Sequence, residues 1–170
     1  MLFRSVVDTD RIAAIDLSAG ADGTQFNFGE VQVTAISGTV YVDRNRNGAL
    51  DATPTDGRLA GVTLSLYSGT SCSGVAQGTA STDATGAYSF SGLVAGRTYT
   101  VCQTQPAGYG DGGVNPGTAA SSPGPNALTV TSLPVAGSAG NHFAERIGSI
   151  AGAVYLDANN DGVRQAGEAG

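Results

Sequence analysis

Residues 43–51 read Asp-Arg-Asn-Arg-Asn-Gly-Ala-Leu-Asp, so oxygen-bearing side chains occupy alternate positions ahead of a glycine. Calcium takes about six to eight oxygen ligands, and a tight loop can direct its first, third and fifth side chains inward when the sixth residue tolerates a sharp turn. Asp43, Asn45 and Asn47 hold those three positions and Gly48 holds the sixth. The pattern predicts a calcium-binding loop.

A second copy begins 114 residues later, counted from Asp43 to Asp157. Asp157, Asn159 and Asp161 repeat the alternate oxygens, and Glu168 adds an acid at the twelfth position, where a bidentate carboxylate closes a calcium shell. Two copies with the same spacing make a chance match improbable.

The first copy differs at its twelfth position, which is Pro54, and its nearest acid is Asp56. We therefore predict an insertion around residues 53–55, with Asp56 in the role of Glu168. The seventh residue of each loop would contribute its main-chain carbonyl. The complete set of predicted ligands is Asp43, Asn45, Asn47, Ala49, Asp51 and Asp56 in the first loop, and Asp157, Asn159, Asp161, Val163 and Glu168 in the second.

An ordinary turn is the alternative, because Asn, Asp and Gly favour positive φ without any metal. An EF-hand fold is not expected. Each loop follows an alternating apolar run, at residues 36–42 and 150–156, with the period of a strand rather than of a helix.

Other anchors repeat at nearly the same interval, among them Ile36 with Ile150 and Gly38 with Gly152. The chain is therefore predicted to be part of a tandem array. We expect residues 1–33 to be the last strands of one repeat, residues 34–146 to be one complete repeat, and residues 147–170 to open the next. A repeat of this size can bury a sandwich core of its own.

Composition indicates an all-β chain, since Thr, Ser and Val are abundant, Gly alone counts 26, and no window carries a helical apolar stripe. The net charge of −6 and the pI near 4.4 argue against nucleic acid and anionic membranes as partners. No stretch is long and apolar enough for a membrane span or a signal peptide, so we expect a segment of an exported protein.

Cys72 and Cys102 are the two cysteines, and both lie in the complete repeat. A single pair in a secreted domain predicts a disulfide, and the alternative is two free buried thiols. Neither has a CxxC partner or a neighbouring His, so redox chemistry and zinc binding are not expected.

Alternation of apolar residues predicts strands at 61–67, 96–103, 127–133 and 141–145. Residues 79–90 read as a β-hairpin around the turn at 83–86, and residues 106–125 read as one long surface loop. Residues 11–17 and 24–31 read as two further strands. About seven strands with frequent turns predict an immunoglobulin-like, antiparallel two-sheet β-sandwich.

Several motifs, in the same order, resemble the B-type repeats of Ser-Asp-repeat bacterial surface adhesins, a prealbumin-like β-sandwich family. They are residues 36–43, the Asn/Gly loop, and residues 59–64, 82–90, 105–109 and 26–30. The resemblance implies a calcium-stiffened stalk repeat of a large cell-surface or secreted bacterial protein. Related collagen-adhesin domains often carry a Lys–Asn isopeptide bond, which is not expected here because all eight basic residues are Arg.

An enzyme is not expected, since a hydrolytic triad needs a base and His142 is the single histidine, placed in a predicted strand. The leading hypothesis is structural: repeats that extend a functional head from the cell or build an extracellular fibre. Their partners would be neighbouring repeats, with head-to-tail association through an exposed edge strand as a further possibility. The alternative is a module that binds a glycan or protein through the 106–125 loop, with Tyr109 stacking on a sugar.

Overall fold

The computed structural model describes residues 6–8, 11–12, 22–24, 30–148 and 152–168. Every regular element in these residues is a β-strand, and none of their segments is a helix long and apolar enough to cross a membrane. The strands are β1 (Val6–Asp8), β2 (Arg11–Ile12), β3 (Val33–Val42), β4 (Gly57–Arg58), β5 (Thr63–Ser68), β6 (Gly78–Ser81), β7 (Ala87–Val94), β8 (Tyr99–Gln103), β9 (Gly110–Asn115), β10 (Ala120–Gly124), β11 (Ala127–Val130) and β12 (His142–Arg146).

Ten of these strands form a two-sheet β-sandwich, which confirms the predicted fold class. One sheet has the order β10-β11-β8-β5-β6, and the other has the order β4-β3-β12-β9 with β7 also paired to β3. The inward residues predicted for β5 and β7, such as Leu64, Leu66 and Tyr88, are buried in the core between the sheets. All buried residues of this core lie between Ile36 and Phe143.

β3 is the longest strand and changes neighbours along its length. Its first part pairs antiparallel with β7, and its last three residues pair with β12 on one side and partly with β4 on the other. Gly38 lies near the end of the first part, opposite Tyr88, and a Cβ atom there would stand 1.6 Å from the Asn141 carbonyl oxygen. Only glycine permits this close approach.

The pairing of β3 with β12 is parallel, with Phe143 opposite Val40 and Glu145 opposite Val42. The prediction of a purely antiparallel sandwich is therefore wrong for this one pair of strands. The consequence is geometric, because parallel first and last strands leave the chain entering the sandwich at one end and leaving it at the other.

Two local predictions were wrong. β6 and β7 flank the turn at residues 83–86 but pair with β5 and β3, in different sheets, so this turn crosses between sheets and closes no hairpin. Residues 106–125 are not one loop, because they contain β9, which pairs with β12, and β10, which pairs with β11. Main-chain hydrogen bonds form both strands, and the apolar alternation that identifies strands in sequence is absent from them.

At the two ends of the chain, the structure describes only part of the predicted strands. β1 and β2 pair antiparallel within residues 6–12, and most of the strands predicted at 11–17 and 24–31 lies outside the described residues. Residues 152–156 form no strand, and no strand among the described residues pairs with them. A strand needs a neighbour for its main-chain hydrogen bonds, so apolar alternation alone does not produce one.

Candidate metal centre

The loop that follows β3 winds around the carboxylate of Asp43. The main-chain N–H groups of Asn47 and Gly48 donate to its two oxygens over 3.2 and 3.0 Å. This path needs left-handed backbone at Arg46, with φ of 59°, and at Gly48, with φ of 75°. A glycine at the second of these positions adopts such a φ without steric cost.

Asp56 closes the loop from its far end. Its carboxylate accepts the N–H of Arg44 over 3.2 Å and the N–H of Asp51 over 2.8 Å. Both Asp43 and Asp56 are almost completely buried, with exposed fractions of 1% and 0%. The inserted residues form a separate turn in which Thr55 N–H donates to the Ala52 carbonyl. The loop thus keeps its acid at the closing position.

The two asparagines orient the loop interior. Their side-chain oxygens accept main-chain N–H groups two residues ahead, from Asn47 to Asn45 Oδ1 and from Ala49 to Asn47 Oδ1. Their amide nitrogens both donate to Asp51 Oδ2 over 2.8 Å. Five side chains with carboxylate or amide oxygens therefore converge on one loop.

The second loop repeats the main-chain hydrogen bonds of the first. Five main-chain N–H groups make six hydrogen bonds to equivalent acceptors, from Asp161 and Gly162 to Asp157, from Ala158 and Gln165 to Glu168, from Asp161 to Asn159, and from Val163 to Asp161. Asn160 and Gly162 have φ of 58° and 77°, like Arg46 and Gly48. Ala158 and Gln165 lie 114 residues after the two donors to Asp56. Asp56 and Glu168 thus hold equivalent positions.

The first loop also covers the outer face of its sheet. Tyr41 lies outside the core cluster but is fully buried, and its ring meets that of His142 edge-on at 6.4 Å between centroids. Burial, followed by the negative charges of Asp43, Asp56 and Asp51, raises the pKa of Tyr41 to about 12. Its hydroxyl has no hydrogen-bond partner.

The residues of each loop fit a hard cation in their chemistry. The donor set is all oxygen, and each carboxylate or amide oxygen that accepts one N–H keeps a second lone pair. The guanidinium groups of Arg44 and Arg58 donate to the Pro54 and Asp51 carbonyls. Within the part of the chain that the structure describes, no three His, Cys, Asp or Glu side chains are grouped to hold a metal, so a cation in either loop would also need amide and carbonyl oxygens.

The sequence profile of the SdrD B-like domain matches residues 34–139, which is more than half of the chain. The chain belongs to the SdrD B-like domain family.

Among solved structures, this SdrD B-like domain chain is similar to the minor pilin GBS52 of the Gram-positive pathogen Streptococcus agalactiae. The TM-score is 0.39 at 18% sequence identity, over 70% of this chain and 48% of the pilin. The chain thus spans about half the length of that relative. No curated protein matches the sequence.

The predicted disulfide of the SdrD B-like domain is present between Cys72 and Cys102, with Cα atoms 5.9 Å apart. It ties the turn after β5 across the outer face of the sheet that contains β8. Thr100 Oγ1 on the same strand donates to the Gly69 carbonyl in that turn over 2.8 Å. This sheet is the one opposite to the candidate metal loop.

Tyr109 does not lie in a long exposed loop. It is half-buried in a turn in which its N–H donates to the Pro106 carbonyl, and β9 begins at the next residue. No other predicted site residue is brought near it by the contacts of the described residues.

Sequence reasoning missed the buried carboxylate of Glu145. Its side chain is fully buried, points between the sheets, and accepts amide N–H groups from Gln103 in β8 of the opposite sheet and from Gln105 just after that strand. Burial raises its pKa. The recurrence of a phenylalanine two residues before a glutamate, at Phe28–Glu30 and Phe143–Glu145, was the available signal, because residues two apart share one face of a strand.

Proposed function

We propose that this chain is a calcium-stabilised structural repeat of a large bacterial cell-surface or secreted protein, an adhesin stalk or an extracellular fibre. The single observation that carries the proposal is the recurrence, 114 residues apart, of one oxygen-rich loop with the same main-chain hydrogen bonds. An ordinary turn needs no more than a glycine or asparagine. It does not need a closing acid that is retained despite a two-residue insertion.

Calcium would be held in the first loop by Asp43, Asn45, Asn47, Asp51, Asp56 and the Ala49 carbonyl. The second site would use Asp157, Asn159, Asp161, Glu168 and the Val163 carbonyl. A bound ion supplies positive charge that offsets the repulsion among these carboxylates. The chain's own contribution is to orient the oxygens in advance through main-chain N–H donors.

The placement of the first loop supports a role in stiffness rather than in chemistry. Asp43 N–H donates to the Glu145 carbonyl over 2.9 Å, which joins the loop to the last strand, and Asn115 Nδ2 donates to the Gly48 carbonyl over 3.4 Å, which joins it to β9. Ordering the loop therefore orders the end of the sandwich from which the chain leaves. We infer that the repeat is not an enzyme and acts by holding a shape.

The disulfide and the family support an exported protein, since disulfides persist in oxidising compartments. The chain's boundaries as repeats, at residues 1–33, 34–146 and 147–170, belong to the same proposal. The glycan-binding alternative rested on an exposed loop around Tyr109, and no observation on the described residues favours it over the structural role.

Thermal melting with calcium and with chelator tests the proposal. At about 1 mM calcium, a site with Kd of about 10⁻⁴ to 10⁻³ M raises stability by roughly 0.4 to 1.4 kcal/mol, or by about 2–6 °C. Asp43→Ala should remove this increment. The matched control is Asp111→Ala, an exposed acid outside the loop, which should keep it. Identical melting of the wild type in both conditions would mean that the loop is an ordinary Asn/Gly turn.

A further inference from the structure

The sandwich has two ends that differ in what they expose. At the upstream end, β3 begins at Val33 and the segment 134–138 runs beside it, with Ser138 N–H donating to the Ala35 carbonyl. Val33 and Val135 at this end are exposed to 58% and 57%. These two valines are defined here as the upstream patch. Such large apolar side chains gain free energy when they are covered.

At the downstream end, β12 finishes at Arg146, which pairs with Gly110 of β9. The register places the turn of residues 106–109 beside the last residue of β12. Tyr109 in this turn is half-buried and retains some exposed surface. Tyrosine combines a large apolar face with a polar tip and is common where two surfaces meet.

The spacing of the repeats brings these two ends together. Ile147 follows Arg146 directly, lies 114 residues after Val33, and is half exposed. The next repeat therefore starts at the residue after β12, without a linker. Consecutive Cα atoms are about 3.8 Å apart, so two sandwiches joined in this way have their connected ends held close together. Since β3 and β12 are parallel, the downstream end of one repeat faces the upstream end of the next.

We propose that the upstream patch of each repeat docks on the downstream end of the repeat before it, against the Pro106–Tyr109 turn. The inference rests on the proposed tandem structural role and adds the surface that fixes successive repeats in one orientation. It also assigns Tyr109 to the junction between repeats instead of to a soluble ligand.

A two-unit chain, made by repeating residues 33–146 so that Arg146 is followed directly by the second Val33, tests the proposal. All buried core residues and all ten sandwich strands lie within this range, so each copy is complete. Val135→Asp in the second copy should lower the melting temperature by about 4 °C and broaden the distance distribution from small-angle scattering. The same substitution in the first copy, whose upstream end is free, should change neither.

Two further variants test the other side of the junction and the effect of a surface charge. Tyr109→Ser should act in the other copy. It should lower the melting temperature in the first copy and have no effect in the second. Val75→Asp in the second copy is the surface control, because Val75 is 93% exposed in the turn between β5 and β6. Equal effects of Val135→Asp in both copies, or none in either, would overturn the docking.

The same scattering data separate this inference from the proposed function. An elongated but freely jointed particle would remove the docking and leave the structural repeat intact. A particle no longer than a single unit would contradict the proposed extended role itself.

Discussion

The two oxygen-rich loops have the same backbone path but opposite surroundings. In the first, Asp43 and Asp56 are buried at the end of a complete sandwich. In the second, Asp157 and Glu168 are at most half-buried and their neighbours are exposed. Because the main-chain hydrogen bonds are equivalent, the loop takes the same shape without the surrounding sandwich. The complete sandwich next to the first loop adds the burial of its carboxylates.

Tyr41 and its counterpart Tyr155 make the contrast concrete. Tyr41 is covered by the loop and packed beside His142, while Tyr155 is half-buried and the adjacent Val154 and Leu156 are exposed. In the first copy the loop and the sheet therefore bury each other. We expect changes to the sheet to affect only the first copy, and changes to the loop's oxygens to affect both.

The largest effect is expected from Gly38→Ala. Its new Cβ would overlap the Asn141 carbonyl oxygen, which also accepts the Tyr88 hydroxyl, so the fold should lose about 4 kcal/mol or more. Gly152→Ala is the matched change in the second copy, where no atom lies within 4 Å of the added Cβ. Urea unfolding measures both. A tolerated Gly38→Ala would show that β3 and residue 141 do not approach as closely as described.

Removing the disulfide should have the next largest effect. The bond joins residues 30 positions apart, so Cys72→Ser with Cys102→Ser should cost roughly 3 to 4 kcal/mol in the loop-entropy estimate. The disulfide lies on the sheet opposite to the first loop, and we therefore expect the stability gained from calcium to stay the same. Melting of the double variant with calcium and with chelator gives both numbers. A lost calcium increment would indicate that the loop's order depends on the whole sandwich.

Local chemistry made much of this structure predictable from sequence. The oxygen-glycine spacing gave the loop, and clean alternation gave β3, β5 and the inward face of β7, because strand period and side-chain burial follow directly from residue order. The exchange of Asp56 for Glu168 followed from a gap in the same spacing. The cysteine pair followed from composition.

The remaining features depend on contacts between distant segments. β9 and β10 consist mainly of Gly, Ser, Ala and Asn, and they are strands because β12 and β11 supply main-chain partners. The Asp83 turn looks the same whether its flanking strands pair or diverge into two sheets. The parallel β3–β12 pair and the buried Glu145 likewise follow from topology, which residue spacing does not encode.

Tyr41→Phe should have the smallest effect and the opposite sign. Its hydroxyl is buried without a partner, so its removal should raise stability by about 1 kcal/mol in chelator. The matched control is Tyr88→Phe, which removes a 2.8 Å hydrogen bond to the Asn141 carbonyl and should lower stability by about 1 kcal/mol. Chemical unfolding curves of the two variants settle the signs. Destabilisation by Tyr41→Phe would point to a partner of the hydroxyl in solution.

Native mass spectrometry of the whole chain at increasing calcium measures whether both loops bind the ion. We predict two bound ions per chain, one after Asp43→Ala, one after Asp157→Ala, and none in the double variant. Because the first site is the more buried, the ion that Asp43→Ala removes should be the one retained longest against chelator. A wild-type chain that binds no calcium, or a stoichiometry unchanged by either substitution, would show that these loops are not calcium sites.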